Sequence, residues 1–78
     1  MNMTKVTNTL ASEGITHHLI APHVLHIHWL VDGSSQPVLE YDVKHNFTRL
    51  LGRFRQMTGK DKAELKNVVE QLKMVNTH

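Results

Sequence analysis

The apolar positions of this chain change period twice, from helical spacing to alternation and back. From Val24 to Val31 the period is two: Leu25, Ile27, Trp29 and Val31 interleave with His26, His28 and Leu30. Such a strand carries an apolar face and a second face bearing imidazoles. Val38-Leu39-Glu40-Tyr41-Asp42-Val43 alternates in the same way, with Leu39, Tyr41 and Val43 inward and Glu40 and Asp42 outward. The intervening Asp32-Gly33-Ser34-Ser35-Gln36-Pro37 is a turn signal headed by Asp-Gly, so the two runs form a β-hairpin. Ile15 to Ile20 reads as a shorter preceding strand, broken at Ala21-Pro22.

Helical spacing flanks these runs. Met3, Val6 and Leu10 predict an amphipathic helix over 3–12, with Asn2 or Thr4 as cap and Gly14 closing it. Phe47, Leu50, Leu51, Phe54 and Met57 stand at steps of three and four, which predicts a helix over about 45–57 with Gly59 as its left-handed cap. Asp61 and Glu64 fit an N-cap and its reciprocal acid, and Leu65, Val68, Val69, Leu72 and Val75 supply the buried stripe of a last helix. The expected fold class is α+β: one domain over 1–78, a three-stranded antiparallel sheet with helices packed on one face, order α-β-β-β-α-α.

Charge divides the chain. Residues 1–43 hold Lys5 against Glu13, Glu40, Asp32 and Asp42, net −3, while residues 44–78 hold eight bases against Asp61, Glu64 and Glu70, net +5. Cysteine is absent, which removes disulfides, thiolate metal sites and thiol nucleophiles from consideration. No apolar run resembles a signal peptide or is long enough to span a bilayer. A soluble, cytoplasmic protein is expected.

Five histidines, His17, His18, His23, His26 and His28, fall within twelve positions. A hairpin centred on Ser34 sets Leu30 opposite Val38, His28 opposite Glu40 and His26 opposite Asp42; a two-residue slip pairs His28 with Asp42 instead. Either register places imidazoles beside carboxylates on the outer face. That face, His26, His28, Leu30, Val38, Glu40 and Asp42, is the candidate partner or homodimer surface, because it is part apolar and left uncovered by helices. His26, His28, Glu40 and Asp42, with His17 or His18 nearby, are also the candidate ligands of a divalent metal. Arg49, Arg53, Arg55, Lys60, Lys62 and Lys66 are the candidate nucleic-acid contacts, Arg49 and Arg53 being one helical turn apart.

The run Gly59-Lys60-Asp61-Lys62-Ala63-Glu64-Leu65-Lys66-Asn67 resembles double-stranded-RNA-binding domains over about fifteen residues. In that family the last strand leads straight into the run; here a helix over 45–57 is expected between them, so the family is not assigned. No nucleotide fingerprint is present, Gly59-Lys60 lacks the rest of a phosphate loop, and Ser34 and Ser35 are expected across the hairpin from His26. Trp29, Tyr41 and Phe47 read as core. The reading is a small non-enzymatic interaction or regulatory module without cofactors. It self-associates through the outer sheet face or a sheet edge. A nucleic-acid-binding module and a metal-binding protein centred on His26 and His28 are the alternatives.

Overall fold

A computed structural model describes residues 1–77. Helix α1 (Met3–Ser12) precedes four strands, β1 (His17–Ala21), β2 (Val24–Val31), β3 (Ser34–Asp42) and β4 (Phe47–Leu50); a 3-10 turn (Gly52–Gln56) and helix α2 (Gly59–Asn76) follow. The strands form one antiparallel sheet in the order β1-β2-β3-β4. Val6 and Leu10 of α1 and Leu65, Val68 and Leu72 of α2 share one core with Leu25, Ile27, Val31, Leu39 and Tyr41. Both helices therefore lie on a single face, as expected, and the other face is open.

The helix ends follow from their residues. Asn2 caps α1, its side chain accepting from the Lys5 amide at 3.2 Å. At the other end Gly14 has φ +70°, the Ile15 amide donates to Leu10 O at 2.9 Å and the Gly14 amide to Ala11 O at 3.0 Å. That pair of bonds is a Schellman motif, which needs a left-handed residue at Gly14. Helix α2 is capped by Thr58, whose hydroxyl accepts from the Asp61 amide at 3.1 Å. Asp61 is thus the third helical residue rather than the cap, and Gly59 opens α2 instead of closing an earlier helix.

The expected helix over 45–57 does not form. Asn46 takes φ 53° and turns the chain back onto β3, and Phe47 to Leu50 pair with Asp42 to Leu39. The spacing of 47, 50, 51, 54 and 57 does not make a buried helical stripe: Phe47 is 63% and Leu50 56% exposed, Met57 joins the core and Phe54 only packs partly buried against it. Aromatic and β-branched residues favour a strand here, and pairing satisfies the backbone groups along the outer edge of β3. The sheet consequently has four strands and the order is α-β-β-β-β-α.

The hairpin register is tighter than expected. Asp32 (φ 51°) and Gly33 (φ 81°) alone form the turn between Val31 and Ser34, the two-residue connection with positive φ at both positions. Leu30 therefore faces Ser35 and His28 faces Pro37. A bulge between Ile27 and His28 then shifts the register, so that Ile27 faces Leu39 and His26 faces Glu40. Val38 is the extra residue, and it is wholly buried beside Leu39. A bulge lets two consecutive side chains turn to the same face, which removes Val38 from the outer surface where simple alternation placed it.

Asn76, only 6% exposed, ties the two ends of the chain to the sheet. Its Oδ1 accepts from the Asn2 amide at 2.8 Å. Its Nδ2 lies 2.9 Å from Val43 O, 3.1 Å from the Tyr41 hydroxyl and 3.2 Å from Asn46 Oδ1. Tyr41 in turn donates to Asn46 Oδ1, and burial raises the pKa of its phenol. Buried amides are tolerated when fully partnered in this way.

Candidate functional site

The open face is organised by one row of side chains that crosses all four strands. His18 stands opposite His26, His26 opposite Glu40, and Glu40 opposite Arg49. Glu40 Oε1 lies 3.1 Å from His26 Nε2 and its Oε2 lies 3.2 Å from an Arg49 guanidinium nitrogen. The hydrogen bond from His26, and secondarily the one from Arg49, holds the Glu40 carboxyl below its ordinary range. His28 lies beside the row, its ring edge-on to His18 with centroids 4.7 Å apart. Burial first, then the neighbouring His18 and His26, lowers the His28 pKa, since protonated imidazoles so close would repel.

Asp42 sits nearer one end of the sheet and is engaged locally. It accepts from the His45 amide at 3.1 Å and from His45 Nδ1 at 2.8 Å, and these bonds lower its pKa. His26, His28, Leu30, Glu40 and Asp42 thus share the open face as the alternation implied, and Val38 does not. Two further exposed apolar residues, Ile20 (49%) and Phe47 (63%), join them, and Leu30 is itself 68% exposed. Phe47, expected in the core, lies on the open face because it pairs with Asp42.

As a metal site the arrangement is incomplete, for among the described residues no three His, Asp or Glu side chains are placed to hold an ion. Glu40 is shared between His26 and Arg49, and Asp42 is bound to His45. Ser35 belongs to β3, not to a turn, and its hydroxyl is 3.4 Å from His28 Nδ1. That contact is at the outer limit of hydrogen bonding. Grooves of about 640 and 630 Å³ lie elsewhere among the described residues, and neither of these is lined by His26, Glu40 or Arg49.

The basic residues do not form the expected helical patch. Arg49 is on β4 and faces Glu40, whereas Arg53 is in the 3-10 turn with its guanidinium donating to Gln56 Oε1 at 2.8 Å. Lys62 lies over the Phe54 ring, 5.3 Å from its centroid. Arg55, Lys60 and Lys66 are exposed on the turn and on α2. What stands between β3 and the Gly59–Asn67 run is a fourth strand and this turn, not a helix. Among the described residues no helix is long and apolar enough to cross a membrane.

The contribution of the edge strands was not visible in the sequence. Leu19 is 60% and Leu50 56% exposed on the helix side of the sheet, because the helices cover the central strands and stop short of its margins. Comparison with models of known protein families, with curated proteins and with solved structures returns no match for this chain.

Proposed function

We propose that the chain is a non-enzymatic interaction module that pairs with a second copy of itself along edge strand β4. The state of that edge carries the reading. The Leu51 amide donates to Val38 O at 3.0 Å, and in an antiparallel ladder successive residues alternate between bonding inward and outward. The backbone groups of Thr48 and Leu50 therefore point away from β3. Among the described residues β4 contains neither proline nor lysine and no bulge interrupts its pairing, whereas β1 is bulged at Ile20. Phe47 and Leu50 present exposed apolar side chains, one on each face. The one charge on the strand, Arg49, is already occupied by Glu40.

Pairing β4 with its copy about Thr48 joins the two outward-facing Thr48 backbones and sets Phe47 over the partner's Arg49. The result is a continuous eight-stranded sheet with all helices on one side, a recognised use of a free edge. A centre at Arg49 would oppose two arginines and is disfavoured. Lack of cysteine suits a cytoplasmic location, which we propose on that ground.

Sedimentation equilibrium tests the reading. The parent chain should dimerise, and Leu50→Lys should weaken association by about tenfold or more, as edge lysines do. Thr48→Pro removes an outward donor without touching the bonds to β3 and should act likewise. A parent chain that stays monomeric at high concentration, or two variants that dimerise normally, would remove the proposal.

The open face is a second reading, favoured by one observation. Ile20 and Phe47 lie at opposite margins of the same end of the sheet, so a two-fold axis parallel to the strands would seat each Phe47 on the partner's Ile20. Such packing would also set His26 against the partner's Glu40. Ile20→Lys separates the two readings, since it disrupts face packing and leaves the β4 edge untouched.

A further inference from the structure

A groove of about 630 Å³ opens where the end of β2 meets the loop after α1 and the first turns of α2. Ile15, Trp29 and Val68 give it an apolar floor, and Glu13, Asp61 and Glu64 stand on its rim. Trp29 is half-buried, with part of its ring packed on the core and part facing the groove.

The rim acids are uncompensated. None of the three carboxylates forms an ion pair among the described residues, although the whole chain is net +2. Asp61 and Glu64 gain from their position near the start of α2. Glu13 does not: it is the C-cap of α1, where the unsatisfied carbonyls of the helix repel a carboxylate. Asp61 makes no return bond to the Thr58 amide, so its carboxylate is not consumed by capping. An aromatic floor beneath unpaired carboxylates complements a side chain with an apolar stem and a cationic head.

We propose that this groove binds a basic peptide segment of a partner protein, seating one arginine or lysine with its stem across Trp29 and its charge among Glu13, Asp61 and Glu64. The site is separate from β4, so binding here is independent of self-association. His28 also lines the groove, and its depressed pKa keeps it from competing as a cation near neutral pH.

Trp29 is the only tryptophan, so its emission reports on the site directly. The full chain is titrated with a blocked Ala-Arg-Ala-Arg-Ala peptide and with the matching glutamine peptide. The arginine peptide should produce a saturable change, weakening severalfold, on the order of tenfold, as salt rises from low to physiological strength. The exposed pair Glu13→Gln and Glu64→Gln, with unchanged circular dichroism, should weaken it by about tenfold too, as expected when charge complementarity carries recognition. The Leu50→Lys variant should bind as the parent does. No saturable response at millimolar peptide overturns the proposal, as does an equal response to the glutamine peptide or indifference to the double substitution. Emission that shifts with protein concentration alone would assign the groove to a second copy and likewise overturn it.

Discussion

His26 and Glu40 stand directly opposite each other on β2 and β3, with Nε2 3.1 Å from Oε1, while the second oxygen of the same carboxylate holds Arg49 at 3.2 Å. One acid therefore serves two basic partners from two different strands. A neighbouring pair of rings, His18 and His28, has no acid between them.

This arrangement gives stability a pH dependence of definite sign. The Glu40 and Asp42 carboxyls titrate lower in the folded protein than in the unfolded chain. Their contribution is complete above the unfolded carboxylate range and disappears as pH falls through the folded values. The His28 imidazole is also lowered, so its neutral form is favoured by folding. That contribution is present above the unfolded imidazole range and is lost as pH falls through the folded value. Urea midpoints should thus fall on acidification from neutral pH, first in the imidazole window and then in the carboxylate window. His28→Gln should shallow the first decline, and midpoints that rise between pH 7 and about 5.5 would contradict the assignment.

Asn76 closes the termini onto the sheet. Asn76→Ala leaves the Asn2 amide and the Val43 carbonyl without their partner and opens a cavity beside Tyr41. The expected loss is about 2–3 kcal/mol, read from denaturant unfolding. Met74→Ala, on the exposed side of the same turn of helix, should cost less than about 0.5 kcal/mol.

The bulge makes an unusual prediction for Val38. Val38→Ala should destabilise by about 1–3 kcal/mol through the cavity it leaves, although strict alternation places this residue outside. Leu30→Ala, at a position 68% exposed, should be close to neutral. Equal effects would mean that Val38 is not enclosed.

Two glycines with the same open surroundings should respond differently. Nothing lies within 4 Å of a Cβ added at either Gly14 or Gly59, so sterics do not separate them. Gly14 has φ +70°, and Gly14→Ala should cost about 1 kcal/mol or more in backbone strain. Gly59→Ala, at the first position of α2, should be neutral or stabilising by up to about 1 kcal/mol. Thermal melts of the two variants compare them directly.

Local pattern was enough to define β2, both helices that form, the two apolar faces and the outward placement of His26, His28, Glu40 and Asp42. These features repeat over several residues, and alternation or helical spacing fixes which side each residue takes. Three others depended on strand register and helix packing. The segment 47–50 carries helical spacing yet pairs as a strand, because β3 offers unpaired backbone and Asn46 can take the left-handed turn. Val38 is buried because a tight Asp32-Gly33 turn sets one register and core packing of Leu39 and Tyr41 requires another, and the bulge reconciles them. The joining of Glu40 to Arg49 follows from the register of β4 on β3, and that of Glu13 to the start of α2 around Trp29 arises only when elements far apart in sequence are brought together. Sequence spacing decided which face each side chain took; only the folded chain decided which neighbours it met there, since those neighbours are set by strand register and helix packing.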